Sequence, residues 1–394
     1  MSKTELSLPS KQSFQIVSLV ATVLVVGIHY RSTVPSSSVY SQLDFNEIAQ
    51  EFLFGGVARI AVPLFAFLAG LFYFRSDDGT RATYLKKLNQ RVRSVGIPYL
   101  LAGLIAVAVW CGIRVLEKKF SELTPGNLLS MWILRPPAEQ LWFLRDLMVL
   151  VAIAPLIRRV VLHQMNRPWW IAVLGGMWLF NLQCFPIVSG WYLLNIETLL
   201  FFSIGCLAAQ DTNWATRLEN ASPTLVTRTT ILWLALVATR VWLRPNFDIW
   251  YVSRHGFLDL ILHQGSIVVG GCAVMMLAYR IRNAFLLNVS SASFFVYLVH
   301  EFPLRAVIEK ISARTLPADT ACWIVMPMVV VGCYAVAFQL ARFSPQGFAI
   351  FTGGRLPTSK LPVQDSVAQP LASSRGLGLP LKQFLTKRSK RFLG

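Results

Sequence analysis

An uncharged run, FQIVSLVATVLVVGIHY from Phe14 to Tyr30, carries a histidine, His29, to its far edge. Other ionisable side chains stand in similarly apolar surroundings: Arg59 in RIAVPLFAFLAG, Arg145 and Asp146 in LWFLRDLM, Glu197 in LLNIETLLFF, Asp259 and His263 in FLDLILHQG, and His300, Glu301 and Arg305 in YLVHEFPLR. A charge in a bilayer costs a few kcal/mol even on lenient insertion scales, so this set calls for partners or a purpose. The residue types fit a reaction in which a weak nucleophile loses a proton while a neighbouring oxygen gains negative charge. Imidazole, with an ordinary pKa near ~6.5, takes such a proton at neutral pH, for about 10² to 10⁴-fold in rate, or accepts a transferred group itself. A guanidinium such as Arg59 polarises a carbonyl or holds an anion. A carboxylate should orient the imidazole, and Asp44, Glu47, Glu197 and Glu301 are the candidates.

The elements that must position these groups are membrane helices. The chain has 394 residues, 55% of them hydrophobic and only 14% charged, with a mean hydropathy of +0.53; an average soluble domain is roughly 25% charged. Crossing a hydrocarbon core of about 30 Å takes roughly 20 apolar residues of helix, and the backbone groups of such a segment are satisfied only in a helix or a closed barrel. Alternating strands of barrel type are absent from the pattern. The expected fold is all-α and polytopic, with about ten spans at 13–30, 52–74, 95–114, 140–157, 169–186, 192–209, 226–243, 256–279, 292–310 and 321–341. Most of the 37 Lys and Arg then fall on the side of the N-terminus, which places both termini in the cytoplasm. A net charge of +18 therefore reports topology; the basic residues are not interleaved with aromatics on a soluble module, and no nucleic-acid partner is expected. The six cysteines are scattered singly and read as small core hydrophobes, with no metal spacing. The membrane domain is expected at 1–342. Residues 343–394, rich in Pro, Gly and Ser, should form a mostly disordered basic cytoplasmic tail, whose last segment LKQFLTKRSKRFLG has the composition to touch membrane lipids.

On this topology the ionisable groups lie at or beyond the midplane, toward the non-cytoplasmic side, which points to a polar cavity open to that side. Arg59 with Pro63 four residues on predicts a kinked helix whose arginine faces the bundle. Arg145 and Asp146 are adjacent and are expected to point to different sides. Asp259 and His263, spaced i,i+4, share a helix face as a structural pair. His29 alone equally fits an interfacial histidine satisfied by headgroups and water, and His300 a satisfied bundle histidine.

Six segments, in order, resemble the integral membrane acyltransferase-three family: GIHY, ARIAVPLFAFLAGLFYF, RVRSVGIPYLL, LWFLRDLMVLVAIAPLI, FFSIGCLAA and SASFFVYLVHEFPL, within residues 13–341. The resemblance implies ten transmembrane helices and transfer of an acyl group, acetyl by base rate, from cytoplasmic acyl-CoA to a hydroxyl of an exopolysaccharide, lipopolysaccharide or lipid-linked sugar. It places the chain in the bacterial cytoplasmic (inner) membrane. It also implies a functional histidine at His29; Arg59 and Glu197 are further catalytic candidates from the chemistry of the residues. The family's basic R-x-x-x-R element maps onto Lys87 and Arg91, so Lys86, Lys87, Arg91 and Arg93 become the donor-phosphate candidates. Trp142, Arg145, Asp146, His300 and Glu301 are expected at the acceptor. Acyl-CoA is then a co-substrate, with no resident cofactor and no metal. The chain departs from the family eleven residues before His29, where Ser18 stands in place of the usual arginine. A transporter or flippase, or a non-catalytic relative, would use intramembrane charges too, and the oligomeric state is open.

Overall fold

The computed structural model describes residues 8–188, 191–211, 213–246, 256–281 and 283–357. Helices make up almost all of it; among the described residues the one sheet is a hairpin of Pro186–Val188 (β1) and Trp191–Tyr192 (β2). Six helical stretches are long and apolar enough to cross a membrane: Ser10–His29, Phe45–Arg75, Arg81–Leu116, Pro223–Leu243, Phe257–Ala278 and Cys322–Phe343, with a seventh if the bent pair Glu139–Ala152 and Ala154–Leu162 is one span. Leu104, Ile105, Met328 and Val331 are each half exposed or more. Such an apolar exterior suits lipid rather than water. The chain is a multi-pass all-α membrane protein.

The helices are numbered along the chain. The first is α1 (Leu8–His29), followed by α2 (Phe45–Gln50), α3 (Ala61–Arg75), α4 (Arg81–Arg91) and α5 (Ile97–Leu116). Then come α6 (Pro125–Ile133), α7 (Trp142–Ala152), α8 (Ala154–Leu162), α9 (Asn166–Leu179) and α10 (Ile196–Ala208). The rest of the bundle is α11 (Trp214–Glu219), α12 (Pro223–Leu243), α13 (Phe257–Ala278), α14 (Ala284–Ser290), α15 (Ser293–Val299), α16 (Leu304–Ser312), α17 (Cys322–Phe343) and α18 (Pro345–Phe351).

Three local departures from regular helix shape the molecule. Between α2 and α3 the backbone passes through a π-turn (Glu51–Gly56) and a 3₁₀ turn (Val57–Ile60). The irregularity therefore lies before Pro63, not at it. Pro63 falls in the first turn of α3, where its missing N–H removes no intrahelical bond. Between α7 and α8 the axis bends by 66°, because Pro155 at the start of α8 cannot continue the α7 ladder; the expected single span 140–157 is two pieces. The expected span 292–310 is likewise interrupted, with α15 ending at Val299 and α16 starting at Leu304. His300 and Glu301 thus lie in a turn before Pro303, not on a continuous helix. Interrupted backbone at membrane depth is tolerated where protein or a cavity lines it.

Helix association in lipid depends on close packing, and small residues permit it. Gly70 on α3 and Gly205 on α10 show the reason. A Cβ on Gly70 would lie 2.2 Å from the Phe202 carbonyl oxygen, and one on Gly205 would lie 2.3 Å from that of Phe67. The two backbones touch, and Tyr73, Phe74, Leu199 and Phe202 interlock around them. At the other end of the chain α18 packs back on the bundle, Phe348 stacking on Phe295 at 5.2 Å. The remainder of the expected tail, from residue 358 on, lies outside the described residues.

Candidate active site

Chain direction fixes two faces. Helix α1 delivers His29 to one face, and the Phe45–Arg75 stretch returns to the other. From Arg59 to Tyr73 is about 20 Å at 1.5 Å per residue.

On the first face two histidines meet. The His29 and His300 rings lie 5.2 Å apart, centroid to centroid. His300 is fully buried, and its Nδ1 sits 3.1 Å from the Val296 carbonyl oxygen and 3.0 Å from that of Tyr297. Carbonyls only accept, so Nδ1 carries a proton, and with the ring in its neutral form a lone pair is presented at Nε2. That Nε2 is buried with no hydrogen-bond partner among the described residues. The reading of His300 as a satisfied bundle histidine holds for one nitrogen and fails for the other. An unpaired buried acceptor beside a second imidazole is the kind of exception that asks for a substrate.

Neighbouring segments hold this pair in place. The Tyr30 hydroxyl donates to the His300 carbonyl at 2.6 Å. Gln140 donates from Nε2 to the Leu298 carbonyl at 3.1 Å, and the Gln140 backbone carbonyl accepts from the Tyr297 hydroxyl. Trp142 belongs to the same apolar cluster as Tyr297, Val299 and Phe302. Glu301, also buried, is 4.0 Å from Arg305 and takes a backbone hydrogen bond from Glu139. Arg305 in turn donates to Glu309 at 2.6 Å.

The guanidinium groups of Arg59 and Arg305 are near enough to His29 to act on it electrostatically. Arg59 also acts on Glu197, whose Oε2 accepts from Trp178 Nε1 at 2.9 Å. His29, Arg59, Glu197, His300 and Glu301 are therefore gathered in one region. The carboxylates do not orient His29, however. Asp44 and Glu47 form the capping box of α2, Glu197 faces Arg59, and no hydrogen bond reaches the His29 ring among the described residues.

Arg145 and Asp146 are engaged elsewhere, and against expectation with each other, at 3.0 Å. The long arginine folds back over the start of α7 and also donates to the carbonyls of Leu134, at 2.7 Å, and Tyr192. Asp146 accepts from the Asn195 N–H at 2.9 Å, its Nδ2 at 2.8 Å and the Thr198 hydroxyl at 3.0 Å, capping the start of α10. Asp259 pairs at 3.7 Å with Arg244 rather than with His263 in any resolved bond.

Sequence reasoning passed over a triad beside this region. Glu51 in the π-turn, 1% exposed, takes one hydrogen bond from Arg31 and another from Arg240. Arg240 reads in the sequence as a basic residue flanking the end of a span, and Glu51 as the residue before one. Their burial depends on the close approach of α12 to the irregular turn, which periodicity does not show.

On the opposite face, Lys87 is buried, donates to the Tyr73 carbonyl and lies 4.0 Å from Asp77. It holds the turn between α3 and α4. Lys86 and Arg93 are exposed and Arg91 half-buried. Arg355 joins them, donating from Nη1 to the Ser94 carbonyl at 2.6 Å; burial, aided by Arg91, pushes its guanidinium down to about 10. Ser18 lies on α1, its carbonyl accepting from the Thr22 hydroxyl at 2.8 Å.

The sequence as a whole has matches among known families and proteins. The Acyl_transf_3 model, an acyltransferase domain, matches residues 14–342. The succinoglycan biosynthesis protein ExoH of Rhizobium meliloti (strain 1021) is 25% identical over 363 residues, covering 88% of this chain and 92% of that protein. No solved structure matches. With a family model spanning the whole bundle, from α1 to the end of α17, the chain belongs to the acyltransferase-three family and is an acyltransferase of the membrane.

Proposed function

We propose that the protein moves an acyl group, acetyl by preference, from cytoplasmic acyl-CoA to a hydroxyl of a cell-surface glycan, an exopolysaccharide or its lipid-linked precursor. The observation that carries this reading is the unpartnered Nε2 of His300 beside the His29 ring. Two adjacent imidazoles can take the proton of a sugar hydroxyl and return it to the departing thiolate. Alternatively one of them holds the acyl group between donor and acceptor. In this reading Arg59 and Arg305, both close enough to act on His29 electrostatically, stabilise the negative charge that develops on the thioester oxygen. Glu197 then acts through Arg59, and Glu301 through Arg305. The relative named for succinoglycan biosynthesis supports an exopolysaccharide acceptor. The reading includes ten spans, with α9, α10 and the interrupted α15–α16 segment crossing in company with longer helices, both termini cytoplasmic, and residence in the bacterial inner membrane.

The test compares O-acylation of the surface glycan in a deletion strain carrying wild type or His29→Ala at matched protein levels. Restoration by wild type alone supports the reading. Equal acylation with and without the gene removes it for that glycan. The breaks in α7–α8 and α15–α16 give a flippase reading its own support, because transporters use interrupted helices; accumulation of unflipped lipid-linked sugar in the deletion strain would favour it.

A further inference from the structure

Opposite the histidines, the turn between α3 and α4 and the start of α8 enclose a cavity of about 650 Å³. This is within the roughly 300 to 1,000 Å³ of small-molecule sites. Its lining includes Tyr73, Thr80, Arg81, Tyr84, Arg158 and Arg159, with Asp77 the one carboxylate. Asp77 is already engaged by Arg158 at 3.3 Å and by Lys87 at 4.0 Å. Arg81 and Arg159 are exposed and have no ion pair among the described residues.

The walls are built rather than incidental. Gly79 has φ +82°, and a Cβ there would fall 1.4 Å from Arg158 Nη1, so the arginine packs against bare backbone. The hydroxyl and N–H of Thr80 and the Thr83 hydroxyl bind Asp78. These bonds hold its carboxyl at about 2 and fix the turn that opens α4. Tyr84 is pinned through its hydroxyl to the Ala152 carbonyl at 2.9 Å, leaving an aromatic lining between the arginines. The bend at Ile153 brings α8 beside this turn, where Pro155, Leu156 and Leu162 form the second wall of the cleft.

We propose that this cleft binds the phosphorylated adenosine end of coenzyme A, with Arg81 and Arg159 on its phosphates and Tyr84 beside the base. The inference rests on the acyl-CoA reading and sharpens it: the donor's head lies under α8, and its extended arm spans the distance of about 20 Å between Tyr73 and Arg59. Lys87 then shapes the site through Tyr73 and Asp77 without touching phosphate. Guanidinium suits this role, because its fork of donors matches phosphate oxygens.

The experiment measures binding of coenzyme A, dephospho-coenzyme A and adenosine 3′,5′-bisphosphate to the full chain in phosphatidylcholine nanodiscs. Arg81→Gln and Arg159→Gln should each weaken coenzyme A and the bisphosphate by about tenfold, the effect of losing some 1.4 kcal/mol. His29→Ala should bind both as wild type does while losing glycan acylation. Wild-type affinity in both arginine variants, with loss in Arg91→Gln or Arg93→Gln, overturns the cleft and moves the donor's head along α4. If the arginine variants instead lose retention of added phosphatidylglycerol, the cleft is a headgroup site. If wild type binds no coenzyme A while acylation still requires the gene, the inference falls and the acyltransferase reading stands with another donor.

Discussion

The Tyr30 hydroxyl donates to the carbonyl of His300, tying the residue after one histidine to the backbone of the other. A neutral hydrogen bond contributes about 0.5–1.5 kcal/mol net. Tyr30→Phe should therefore lower Tm slightly, yet cut acyl transfer several-fold, since it frees the interrupted turn that carries His300. Purified protein assayed for kcat and for thermal unfolding checks the split; equal losses in both would reduce Tyr30 to a packing residue.

The two histidines should behave as one unit. His29→Ala and His300→Ala are each expected to cost about 10² to 10⁴-fold in rate. The double variant should be no worse than the poorer single one, as happens when residues act together. Multiplying losses would mean that the rings work in separate steps.

The buried triad of Arg31, Glu51 and Arg240 predicts an asymmetry. Arg240→Met leaves Glu51 buried with one partner and should destabilise the fold by about 3–5 kcal/mol. Adding Glu51→Leu and Arg31→Met should recover part of that loss, because a buried charge cluster removed whole costs less than one broken apart. Thermal unfolding in detergent for the two variants decides it.

Asp146 is the centre of a cap rather than a free carboxylate, accepting from Asn195, Thr198 and Arg145. Asp146→Ala should lower the yield of folded protein and the Tm, with any surviving protein keeping its KM for glycan. A raised KM at unchanged Tm would return Asp146 to the acceptor site.

Much of this was legible in the chain, for physical reasons. Apolar length reveals α1, α5, α12, α13 and α17, since a helix alone in lipid must satisfy its own backbone. The cost of intramembrane charge picks out His29, Arg59, Glu197, His300 and Glu301, and the fold gathers these in one region. What periodicity does not carry is interruption. The turn at His300 and the bend at Ile153 follow from prolines whose effect depends on where the ladder is already weak, and the π-turn at Glu51 follows from contacts with α12. The partner of a charge is equally hidden. Lys87 reads as one more basic residue beside the membrane, and only the fold shows it turned inward to Tyr73. Arg145 and Asp146 read as facing apart, because helical spacing says nothing of a side chain long enough to fold back.

The glycine contact between α3 and α10 has a mechanical consequence. Two helices whose backbones touch at Gly70 and Gly205 have no side-chain layer to slide upon, so they move as one strut. Any side chain at either position would have to part the two backbones before it could fit.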